Sequence, residues 1–143
     1  MKGFTQVTAV EVRGVRVDAV EFGDIPRAVR VMGIEVVLGS ASEKPQENRA
    51  FIDYEEIDSL LSGIDAVSRV NETMTKLVGF EGKYRTLGDF EISVFRQTRT
   101  GTAVSLTTGV CNQATVTMSL DDLARVRAML VDAKAKLDEA RQN

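Results

Sequence analysis

Two stretches of this chain carry apolar residues at spacings of three and four, and a strand-rich run precedes each of them. That repetition restricts the fold more than any single motif does. In the first stretch Ile57, Leu60, Leu61, Ile64 and Val67 make one stripe on a helix predicted from about Tyr54 to Val70. In the second, Leu120, Leu123, Val126, Leu130, Ala133 and Leu137 line one face of a helix expected to reach about Ala140. Asp121, Asp122, Arg125, Arg127, Lys134 and Lys136 fall largely off that face. Laying one pattern on the other pairs Tyr54 with Leu120, Ile57 with Leu123, Leu60 with Val126 and Ile64 with Leu130.

Both stretches open with the same device. Asp53-Tyr54-Glu55-Glu56 and Ser119-Leu120-Asp121-Asp122 each offer an N-cap oxygen for a free backbone N–H, with an acid three positions later to return the bond. Acids also suit the positive end of a helix dipole. Helix initiation therefore accounts for Asp53, Glu55, Glu56, Asp121 and Asp122 without a metal or an acid-base role.

The runs before the helices alternate as strands do. Thr5 to Arg13 and Val15 to Phe22 are separated by Gly14, at a tight turn or a bulge; Ala28 to Leu38 follows a turn at residues 23–27. A polar loop over 39–48, with Pro45, leads to a short strand from Arg49 to Ile52. The second half offers Phe80 to Thr86, Phe90 to Gln97, Thr102 to Thr108 and Gln113 to Met118, with residues 71–78 as the connector. The expected fold is α+β: a single domain over 1–143, internally duplicated as two ββββα units at about 1–70 and 71–143. Each unit is a curved antiparallel sheet with its own helix covering one side. A unit of this size is close to the lower limit for an independent core, so the two are expected to need each other. The competing architecture is a single curved sheet or small barrel closed by the C-terminal helix, like a pleckstrin-homology domain.

In element order the chain resembles the Whirly proteins and dimers of the positive-cofactor-four type, which bind single-stranded DNA. The likeness lies in topology across nearly the whole length. The Lys-Gly-Lys-Ala-Ala-Leu signature of plant Whirly proteins is missing, and Gly82-Lys83-Tyr84 is too short to replace it. The resemblance implies a single-strand-binding module, although a shared architecture does not by itself carry an activity.

Composition narrows the chemistry. With no His, Ser-His-Asp and Cys-His catalysis and His-ligated zinc are excluded. Cys111 is the sole cysteine, so there is no intramolecular disulfide, which fits a reducing, cytoplasmic setting. No signal peptide and no run long enough to span a membrane is visible. Neither Gly79-Phe80-Glu81-Gly82 nor any other segment makes a phosphate-binding Gly-rich loop. No catalytic residue, metal or cofactor is expected, and a non-enzymatic binding module is the leading expectation.

Its ligand surface is sought where charge and aromatics coincide. The net charge of −3 disfavours a general polyanion binder. Locally, however, Lys76, Lys83, Arg85, Arg96 and Arg99 outnumber Glu81, Asp89 and Glu91, whereas Asp53 to Asp65 holds five acids and no base. Alternation sends Phe90, Ile92 and Val94 to the core and Phe95 to the other face with Glu91, Ser93 and Gln97. Ser105 and Thr107, or Thr115 and Thr117, complete a Thr-rich face. Lys83, Tyr84, Arg85, Phe95, Arg96 and Arg99 are thus the candidate single-stranded nucleic-acid contacts. Phe22 is a weaker aromatic candidate, and Phe51 and Tyr54 are read as staples and core. The rival is a homo-oligomer or protein-partner scaffold that uses a free strand edge and binds no nucleic acid.

Overall fold

A computed structural model describes residues 2–12, 14–24, 29–39, 49–69, 81–96, 101–109 and 114–142. Its elements run β1 (Lys2–Val12), β2 (Val15–Asp24), β3 (Val29–Leu38), β4 (Arg49–Asp53), a 3-10 turn (Tyr54–Glu56), α1 (Ile57–Ser68), β5 (Glu81–Arg85), β6 (Phe90–Arg96), β7 (Thr102–Thr108), β8 (Ala114–Met118) and α2 (Leu120–Gln142). The expected connector over 71–78, loop residues 40–48 and Cys111 lie outside the described residues.

The strands form two separate four-stranded antiparallel sheets, ordered β1-β2-β3-β4 and β5-β6-β7-β8. The fold is therefore α+β with the element order ββββα-ββββα, and the single-barrel alternative is set aside. Gly14 makes a tight turn, since Val12 pairs with Val15 on either side of it. The bulge lies elsewhere in β1, at Val7, where Gln6 pairs with Val20 and Thr8 with the very next β2 residue, Ala19.

The alternation that marks the strands in the sequence also fills the core. Val15, Val17 and Ala19 of β2, Met32, Ile34, Val36 and Leu38 of β3, and Ala50 and Ile52 of β4 are buried on one face of the first sheet. Phe90, Ile92 and Val94 of β6 with Val104 and Leu106 of β7 are their counterparts in the second. The helical stripes, Ile57, Leu60, Ile64 and Val67 on α1 and Leu123, Val126, Leu130, Ala133 and Leu137 on α2, join both sets in a single buried cluster.

The helices do not cover their own sheets. α1 packs on β5 and β6 of the second sheet, and α2 packs on β1, β2 and β3 of the first, with a lesser contact to β7. Chain length explains this correction to the sequence-based expectation. The 3-10 turn starts directly after β4, and Ser119 alone separates β8 from α2, so neither helix has a linker in which to fold back. Each continues forward onto the neighbouring sheet instead. The contact is close where α1 meets β5: a Cβ on Gly63 would sit 2.6 Å from Tyr84 Cγ.

The caps diverge. Ser119 and Asp122 form the reciprocal box, with Asp122 N–H donating to Ser119 Oγ at 3.1 Å and Ser119 N–H to Asp122 Oδ2 at 3.5 Å. At the other helix Asp53 accepts from Glu55 N–H at 3.4 Å, and Glu56 returns no bond. Glu56 Oε1 accepts from Leu87 N–H at 2.8 Å, binding the β5–β6 turn to the start of α1. In that turn a Cβ on Gly88 would overlap the Phe51 carbonyl oxygen, so the turn lies directly against β4.

Candidate functional site

Cross-strand register builds the outer face of the second sheet in three rows. Glu81, Phe95 and Ala103 lie side by side, then Lys83, Ser93, Ser105 and Thr117, then Arg85, Glu91, Thr107 and Thr115. This is the Thr-rich face expected from alternation. α1 lies on the opposite face, where Tyr84 packs against Gly63. Among the described residues Lys83, Arg85, Thr115 and Thr117 are exposed and Phe95 is half-buried.

The predicted contacts do not all meet. Lys83, Arg85 and Phe95 share the outer face, while Tyr84 points away from them into the junction with α1. Desolvation there, followed by the nearby Glu56 carboxylate, raises the Tyr84 pKa above its ordinary value. Arg96 ends β6 opposite Thr102. Arg99, Lys76 and Gln97 lie outside the described residues.

Both described cations of this face are already engaged. Lys83 Nζ is 3.4 Å from Glu81 Oε1, and Arg85 Nη2 is 2.8 Å from Asp89 Oδ1. The hydrogen bond to Asp89 raises the Arg85 pKa. Ser93 Oγ donates to Glu81, and the Thr107 and Thr115 hydroxyls lie 3.3 Å apart. The face is thus a row of hydroxyls flanked by compensated ion pairs, with one aromatic at its end.

The acid-rich segment at α1 is compensated too, across the helix pair. Arg127 Nε lies 2.8 Å from Asp65, Lys134 Nζ 3.7 Å from Asp58 and Arg141 Nη1 3.9 Å from Glu55. Ascending positions on α2 meet descending positions on α1, so the helices are antiparallel. Among the described residues, three of the five acids of 53–65 are therefore paired with α2 within the fold.

Sequence reading missed the junction around Tyr54. Its hydroxyl donates to Asp138 Oδ1, the Arg141 guanidinium lies 4.2 Å from its ring centroid, and Lys134 Nζ lies 5.7 Å away. The Tyr54 hydrogen bond, aided by Lys134, lowers the Asp138 pKa; the same carboxylate raises that of Lys134. Beside this junction is a cleft of about 410 Å³ lined by Val31, Met32, Asp53, Tyr54, Glu55 and Arg141. The seven-residue spacing of Arg127, Lys134 and Arg141, set against the five acids and no base of 53–65, was the available signal.

Among the described residues no group of three or more His, Cys, Asp or Glu is arranged to hold a metal, and no helix is long and apolar enough to cross a membrane. A comparison with protein-family models found no match, and neither did a search of curated proteins.

Proposed function

We propose that the chain is a non-enzymatic binding module that takes single-stranded nucleic acid across the outer face of its second sheet. The supporting observation is the three-row face, exposed at Lys83, Arg85, Thr115 and Thr117, on which Lys83 and Arg85 stand across from Ser93 and Glu91, with the half-buried Phe95 at its end. Single-strand binders combine backbone-tracking positive charge with an aromatic on which a base stacks. The ββββα-ββββα order, which resembles Whirly and positive-cofactor-four assemblies, agrees with this reading. A cytoplasmic setting goes with it, since a lone thiol stays reduced there.

Local ion pairing sets the expected strength. Lys83 and Arg85 must each exchange an acid partner for a phosphate, so the affinity is modest and only about two counterions are released per complex. That corresponds to a log–log salt slope of roughly −1.4, or about a sevenfold loss between about 50 and about 200 mM salt. Anisotropy titration of labelled oligodeoxynucleotides checks this. Replacing both Lys83 and Arg85 by Ala removes the salt dependence, and Phe95→Ala costs about 1 to 3 kcal/mol by loss of base stacking. Absence of binding at the lower salt concentration rejects the function.

A further inference from the structure

The outermost strand of the first sheet has an edge whose register suits one particular partner, a second copy of itself. β1 has eleven residues and pairs only with β2, so among the described residues its other edge is open. The opposite edge of that sheet, β4, has five residues and carries the β5–β6 turn against the Phe51 carbonyl. Lys2 and Glu11 are the only charged residues of β1, and edges with so few charges are prone to add a strand.

The bulge determines how two such edges can meet. Before it, Lys2, Phe4 and Gln6 pair with Asp24, Phe22 and Val20; after it, Ala9 and Glu11 pair with Asp18 and Arg16. All five partners are even-numbered β2 residues, on the sheet face opposite Val15, Val17 and Ala19; Asp18 and Val20 of that second face are themselves buried. The β1 positions on that second face are therefore even before Val7 and odd after it. Across a twofold axis normal to the sheet, antiparallel partners must share a face. For a pairing that runs the length of the strand and so spans the bulge, an even position must meet an odd one, which a regular strand could not satisfy and this bulged strand does.

We propose that the protein forms a twofold dimer by antiparallel β1–β1 pairing, with the axis between Gln6 and Val7. In this register Lys2 stands across from the copy's Glu11, Gly3 from Val10, Phe4 from Ala9 and Thr5 from Thr8. Both charged positions of the strand are thereby matched twice with opposite sign, and the two four-stranded sheets become one of eight strands. Opposite charges directly across a strand pair favour it, and like charges oppose it. The proposal is independent of the nucleic-acid reading, because it uses the first sheet and predicts little salt dependence.

Sedimentation equilibrium of the full chain over about a hundredfold range of concentration tests the assembly. A monomer–dimer equilibrium is expected, weakened about tenfold by Lys2→Glu and restored by combining Lys2→Glu with Glu11→Lys. The register is read independently with Phe4→Cys and Ala9→Cys variants, each carrying Cys111→Ser, under oxidised glutathione. Disulfide dimers form when the two variants are mixed and not when either is alone, because Phe4 faces Ala9 and neither faces itself. A monomer at every concentration overturns the proposal, as does a dimer indifferent to the charge reversal or cross-linking equally well in a single variant.

Discussion

Tyr54 fastens the entrance of α1 to the end of α2, its hydroxyl bonded to Asp138 and its ring under the Arg141 guanidinium. Nothing in the local sequence announces this, since an aromatic beside a helix cap usually packs as a staple. The electrostatic consequence has a definite sign. The folded pKa of Asp138 lies below its ordinary 3.8, so the contribution is complete above that value and is lost as pH falls through the lower, folded value. Lys134 is shifted upward, so its share disappears only as pH rises above its ordinary 10.5. Tyr54→Phe is expected to destabilise by about 1 kcal/mol at neutral pH, a small figure because the cluster is open to solvent. The difference in melting temperature from wild type stays level down to about pH 5 and narrows in stronger acid. A difference that ignores acid would show that the hydroxyl contributes through packing alone.

At the scale of elements, most of the secondary structure was legible. Thr102–Thr108 is the strand that alternation marks out, and the two apolar stripes are the buried faces of α1 and α2. These come from spacing, which a local stretch of sequence contains in full. The capping acids were less so: Asp122 closes its box, whereas Glu56 serves Leu87, because the donor it meets belongs to a hairpin distant in the chain. Tyr84 illustrates the same limit. Alternation separates it from Lys83 and Arg85, but only the approach of α1 shows what it packs against. Gly63→Ala tests that approach, since the added methyl must displace the Tyr84 ring. A loss of about 1 to 3 kcal/mol is expected in denaturant unfolding, largely relieved in the Gly63→Ala/Tyr84→Ala double variant. Two independent, additive losses would mean that helix and ring do not share the space.

For the whole molecule, the reciprocal placement of the helices governs cooperativity. Each sheet lacks a cover of its own, and each helix buries its stripe against strands from the other half. Separate fragments 1–70 and 71–143 are accordingly expected to show little helix by circular dichroism, and the intact chain to unfold in one transition. A stably folded fragment would contradict the exchange. Periodicity and turn residues alone marked out the strands and helices that the described residues form, and the apolar side of β3, of β6 and of both helices, since those depend on residues a few positions apart. Which sheet each helix covers, where Glu56 and Tyr84 are directed, and how Tyr54 finds Asp138 were decided by tertiary structure. They follow from the absence of linker at the strand–helix junctions and from contacts between residues remote in sequence, neither of which leaves a local periodic trace.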